Sequence, residues 1–301
     1  MSVRVARVTP NRSEADQMMA LLQHAVPVVT LIFVVSSMVA MGLGLKITEI
    51  TAPLRNLRLV ALSLLANFVV MPAAALLLAR VLHLDEPFGV GLLLLGVAAG
   101  APFLPKLAQL AKGDLAFAVA LMVVLMVITV GYLPLVLPLL LPGVSVNPGQ
   151  IARSLVVLML VPLAIALAVN AKLPRAAAVV KPWCDRLSSL SLAAVVVLLV
   201  VVNFRNVLSV FGTRAILAGL LFIAIGYGLG WVLGGPAAGT RPVLGLGTAQ
   251  RNIAAALVVG GQSFTDPGVV VMVVVVAIVG LLILLPLSRR LARTAKHGDG
   301  G

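Results

Sequence analysis

Charge is what this sequence has least of. Only 10% of its 301 residues are Asp, Glu, Lys or Arg, 61% are hydrophobic, and the mean hydropathy is +1.18. Soluble domains carry about 25% charged residues, so a water-soluble globule is excluded. Carboxylates are scarcer still. The nine are Glu14, Asp16, Glu49, Asp85, Glu86, Asp114, Asp185, Asp266 and Asp299, and none falls in the middle of an apolar run. The single cysteine, Cys184, lies beside Lys181, Asp185 and Arg186. It excludes an intrachain disulfide and has no metal-ligand spacing, so no metal site is expected. His24, His83 and His297 are dispersed. No His-Glu-x-x-His, Gly-x-Ser-x-Gly or Gly-Lys-Ser/Thr motif occurs, so an enzyme is not expected. The net charge is +13. Its Lys and Arg residues are scattered over short loops, which argues against nucleic acid and for loops that orient a membrane protein.

Long apolar runs are what remains. Runs of about 20 residues recur, the length that crosses ~30 Å of hydrocarbon. They are too long and too uniform for barrel strands, which alternate at period two. The fold class is therefore an all-α polytopic membrane protein in a lipid bilayer. About nine transmembrane helices are expected, near 20–45, 57–81, 87–111, 115–142, 150–171, 187–208, 214–236, 241–264 and 267–289. The first apolar run, Met18 to Leu45, exceeds the apolar region of a cleaved signal and is read as a retained span. This divides the chain into an N-terminal tail (1–17), one transmembrane domain (18–290) and a C-terminal tail (291–301). Pro27, Pro72, Pro134, Pro138, Pro162 and Pro286 fall within spans, as membrane helices tolerate. With an odd number of spans, thirteen basic residues collect on the C-terminal side and seven on the N-terminal side. The expected topology in the plasma membrane is a cytoplasmic C-terminus and an external N-terminus.

Two basic residues belong to neither set, Lys106 and Arg251. Each sits in an interrupted segment. The first is Gly100-Ala101-Pro102-Phe103-Leu104-Pro105-Lys106, and the second is Gly245-Leu246-Gly247-Thr248-Ala249-Gln250-Arg251-Asn252. Breaks are expected at Gly100, Pro102 and Pro105, and at Gly245 and Gly247. The two segments are five crossings apart, so they traverse the membrane in opposite directions. That is the mark of inverted repeats, whose broken helices meet near the midplane and form a solute site. An arginine at membrane depth costs at least ~2.5 kcal/mol on insertion scales. Its planar fork of donors matches a carboxylate, sulfate or phosphate. It equally matches backbone carbonyls of the partner broken helix, and the missing carboxylates favour the first reading. Lys106 has two readings, an anion contact or a side chain snorkelling to the interface. Asn252, Gln250 and Thr248 read as substrate contacts or as ties for unwound backbone. Asn67 reads as a substrate contact or a bond between helices. Ser36, Ser37, Asn203, Tyr132 and Tyr227 read as packing or cavity groups.

An ordered set of short motifs resembles the bile acid:sodium symporter family over nearly the whole chain. Met41-Gly42-Leu43-Gly44-Leu45-Lys46 resembles its Met-Gly-Leu-x-Leu-Lys. Asn67-Phe68 through Met71-Pro72 resembles its Gln-Phe-x-x-Met-Pro. Leu110-Ala111-Lys112-Gly113-Asp114 resembles the Leu-Ala-Lys/Arg-Gly-Asp/Asn that closes its first broken segment, and Gln250-Arg251-Asn252 through Phe264 falls on its second. The resemblance implies a panel and a core, with two discontinuous helices crossing in the core. It also implies a secondary transporter working by alternating access on a small organic anion.

The same resemblance implies sodium, and here the sequence departs from the pattern. Sodium-coupled members have Ser-Asn where this chain has Leu104-Pro105. Their serine and threonine ligands fall on Ala118 and Met122, a glutamate falls on Gly247, and a glutamine falls on Arg251. Asn67 and the backbone near Ala249 and Gln250 remain. Lys106 and Arg251 are expected to stand in for the cations, with coupling absent or carried by protonation of a buried Lys106. Two alternatives remain open: a sodium-dependent symporter with a rearranged site, and a membrane sensor or scaffold that does not transport. Arsenite-efflux transporters also show an Arg-Asn pair in the second broken segment. They use a membrane-embedded cysteine, which no span here contains.

Overall fold

The computed structural model describes residues 12–46, 56–141, 147–202 and 214–298. Among these, every regular element is a helix and no strand occurs. In chain order they are α1 (Arg12–Gly44), α2 (Leu57–Val81), α3 (Glu86–Val97), α4 (Leu104–Ala111), α5 (Leu115–Leu140), α6 (Pro148–Lys172), α7 (Pro174–Val202), α8 (Ala215–Leu233), α9 (Thr240–Ala249), α10 (Ile253–Ser263) and α11 (Pro267–Gly298).

Seven stretches are long and apolar enough to cross a membrane: Met19–Gly44, Leu57–Val81, Leu115–Leu140, Pro148–Lys172, Ala215–Leu233, Thr240–Ser263 and Pro267–Arg293. The expected third span is divided between α3 and α4, each too short to cross alone. The expected sixth span corresponds to α7 as far as Val202; its end, with Asn203, lies outside the described residues. α1 begins before Met19 and α11 continues past Arg293, since no glycine or proline separates Arg12 from Met18 or Arg290 from His297.

The outside of the molecule is apolar. Leu57, Val69, Leu77, Leu135, Leu139, Ile165, Val232 and Leu282 are all exposed, as suits a lipid-facing surface. The inside gathers α2–α5 and α8–α11 around one continuous cluster that includes Met71, Leu94, Leu104, Met122, Phe222 and Met272. α1 packs along α6 and α7.

Prolines act locally. α2 contains one π turn, Ala66–Val70, with Pro72 two residues beyond it. Pro72 has no N–H to give, so the Phe68 carbonyl takes the Tyr132 hydroxyl instead. The Tyr132 ring also packs against Phe68 at 4.8 Å between centroids. α6 repeats this device with a π turn at Val156–Leu160 before Pro162. Asn67 lies within the π turn in α2.

Candidate functional site: the crossing of two broken helices

The first break runs from Ala98 to Phe103. Gly100 holds φ +79, and a Cβ there would lie 2.2 Å from the Met126 backbone nitrogen. Only glycine fits such a left-handed position pressed against α5. Pro102 lies in the break. Pro105 is in the first turn of α4, where a proline sacrifices no helical bond. The broken backbone is tied off by α5: the Thr129 hydroxyl accepts from Ala99 N–H at 3.0 Å and donates to the Ala99 carbonyl at 3.1 Å.

The second break is at Gln250-Arg251-Asn252, later in the segment than expected. Gly245 and Gly247 are not break residues. They are helical within α9, where their missing side chains admit neighbours. A Cβ on Gly245 would meet the Tyr227 ring at 3.2 Å, and one on Gly247 would meet Leu104 Cδ2 at 2.9 Å. The helix restarts because Asn252 caps α10, its Oδ1 accepting from Ala255 N–H at 3.0 Å.

The two breaks touch. Asn252 N–H donates to the Ala98 carbonyl at 3.0 Å. Beside that contact lies Arg251, only 3% exposed. Its Nε donates to Leu95 O at 2.8 Å, and Nη2 donates to Gly96 O at 2.7 Å and to Asn67 O at 3.5 Å. Nη1 donates to Asn67 Oδ1 at 2.7 Å and to Thr248 O at 3.2 Å. The Leu95, Gly96 and Thr248 carbonyls belong to the last turns of α3 and α9, which have no helical partners there. A cation at two helix C-termini is favoured by both dipoles. This is the carbonyl-binding geometry, and every N–H of the guanidinium is used by it.

Three expected contacts are therefore brought together: Arg251, Asn67 and Thr248. Asn67 and Thr248 are fully buried, and Asn67 Nδ2 donates to Ser63 O at 2.9 Å and to Thr248 Oγ1 at 3.4 Å. Asn252 is also fully buried, yet its Nδ2 has no acceptor. Gln250, Arg251, Leu95 and Ile223 help line a cavity of about 10 Å³, the size of one water. Lys106 stands apart. It is exposed on α4 and forms no ion pair among the described residues. The burial that coupling through this lysine required is absent. Thr129 was not singled out in the sequence, since a lone threonine in an apolar helix ordinarily bonds its own preceding turn.

Residues 30–211 match the sodium bile acid symporter family, more than half of the chain. The chain belongs to that family, whose members are secondary transporters of the bile acid:sodium symporter type and not enzymes. The match includes the first break and ends before the second. A comparison with curated protein sequences found no significant match.

Proposed function

We propose that this chain is a secondary-active carrier of small organic anions in the plasma membrane, working by alternating access. Nine spans form it. The spans containing the two breaks are counterparts in inverted repeats. α2–α5 and α8–α11 form the core, and α1, α6 and α7 form a panel against which the core moves. The N-terminus is external and the C-terminus cytoplasmic.

The observation that carries the reading is the unpaired Asn252 amide at the crossing. A fully buried donor without an acceptor costs about 1–3 kcal/mol. It sits at the start of α10, the positive end of a half-helix. No carboxylate among the described residues neutralises Arg251. An anionic group bound at this point supplies the missing acceptor. Asn252 and Gln250 contact it directly, and Lys106 attracts it from the open face of α4. Arg251, Asn67 and Thr248 hold the crossing in shape and add positive potential.

The test is a thermal-shift screen of the purified protein against small carboxylates, sulfonates and phosphates. A ligand of the native state raises the melting midpoint. An anion should stabilise wild type and fail to stabilise Asn252→Asp, which keeps the helix cap and replaces the donor with a negative charge. Equal stabilisation of both proteins would remove the site from the crossing. For movement, a cysteine at exposed Gln109, in a Cys184→Ser background, should alternate in accessibility between membrane faces. Accessibility fixed to one face would leave a binding protein that does not carry.

A further inference from the structure

Sodium, which the family name implies, meets an obstacle in this chain. The oxygens at the crossing already hold a cation. Five acceptor atoms surround the Arg251 guanidinium: Leu95 O, Gly96 O, Thr248 O, Asn67 O and Asn67 Oδ1. A guanidinium has five N–H groups, and each is directed to one of them. Four of the five acceptors are backbone carbonyls, which remain whatever side chain stands at position 251. None is a carboxylate, so the acceptors are neutral and the positive charge is Arg251's own. Among the described residues there is also no cluster of acidic side chains, histidines or cysteines able to hold a metal ion. A free sodium ion does not fit: its oxygens are taken, and the nearest charge would repel it.

We propose that Arg251 is a tethered replacement for a bound monovalent cation, and that shortening it opens a cation site at the same oxygens. The site takes free guanidinium first, because its acceptors are spread around a planar fork. A sodium ion is smaller and reaches a subset of them, with water filling the rest. Wild type therefore has no sodium requirement at the crossing, and a single truncation creates one. The proposal goes beyond the carrier function and holds whichever solute is carried. Its readout needs no substrate, so it fails or stands separately from the anion reading.

The experiment measures melting midpoints of the purified full chain in sodium chloride, choline chloride and choline chloride supplemented with millimolar guanidinium, at equal ionic strength. Wild type should melt at one temperature in all three. Arg251→Ala should melt lower in choline, then rise saturably with guanidinium and, less steeply, with sodium. Arg251→Lys keeps a tethered charge and should not respond to sodium. A wild-type midpoint that is higher in sodium than in choline overturns the proposal. So does a folded Arg251→Ala that responds to neither cation. If Arg251→Ala cannot be purified, equilibrium binding of radioactive sodium to wild type and Arg251→Lys decides. No saturable binding to either is expected, and saturable binding to wild type overturns the proposal.

Discussion

Asn67 Oδ1 and Arg251 Nη1 lie 2.7 Å apart although 184 residues separate them in sequence. The pair joins α2 to the second break, and Asn67 is presented by the π turn that precedes Pro72. Hydrogen bonds to charged groups contribute about 1.5–3 kcal/mol, more than neutral ones. Asn67→Leu should lower the melting midpoint by an amount corresponding to that loss. Asn67→Asp keeps the acceptor and adds an opposite charge but loses the donor to the Ser63 carbonyl, so its midpoint should fall between those of Asn67→Leu and wild type. An Asn67→Leu protein as stable as wild type would mean that the bond is dispensable.

Gly100 is the least replaceable residue of the first break. Gly100→Ala should prevent accumulation of folded protein, because it combines a strained backbone with a Cβ inside the Met126 backbone. Gly131 lies just beyond Met126 along α5, and a methyl group placed on it would meet nothing within 4 Å. Gly131→Ala should be neutral or stabilising by up to ~1 kcal/mol. Size-exclusion profiles of the two variants, expressed side by side, check both statements.

Thr129 satisfies a buried donor and a buried acceptor of the same residue. Thr129→Val preserves shape and strands both groups of Ala99, at about 1–3 kcal/mol each. Thr129→Ser restores the hydroxyl. The expected order of melting midpoints is wild type, close to Ser, then Val well below. Val equal to Ser would show that water takes over the hydroxyl's work.

Lys106 and Arg251 should separate cleanly in transport assays. Lys106 is exposed and unpaired among the described residues, so Lys106→Gln should raise the half-saturating anion concentration and leave the melting midpoint unchanged. Arg251→Gln should lower the midpoint. A Lys106→Gln protein with unaltered anion affinity would make that lysine an interfacial anchor only.

Much of this arrangement was legible in the sequence. Lys106 and Arg251 stood out because charge at membrane depth is costly, and Gly100 and Pro102 do mark the first break. The glycines of the second segment pointed to the wrong residues. A glycine costs a helix only about 1 kcal/mol relative to alanine, and close packing against Tyr227 and Leu104 outweighs that inside α9. The real signal was Asn252, a residue suited to restart a helix. The partners of Arg251 were not legible, because a guanidinium donates to carbonyl and carboxylate alike. Only the fold shows that three carbonyls and Asn67 reach it first. Which of the two readings of Lys106 holds was not legible for a related reason: the residue is exposed. Helical phase relative to the rest of the bundle decides exposure, and the proline-rich break hides that phase from the sequence.

The contacts at the crossing also set an order of events during synthesis. Leu95 precedes Arg251 by 156 residues. At ~5–20 residues per second, the ribosome needs roughly 8–30 s to cover that distance. Throughout that interval the carbonyls of Leu95, Gly96 and Ala98 have been made and their partners have not. Hydrocarbon cannot supply a substitute donor. The first half of the protein must therefore wait in a hydrated or proteinaceous shelter, and the later half completes it on arrival.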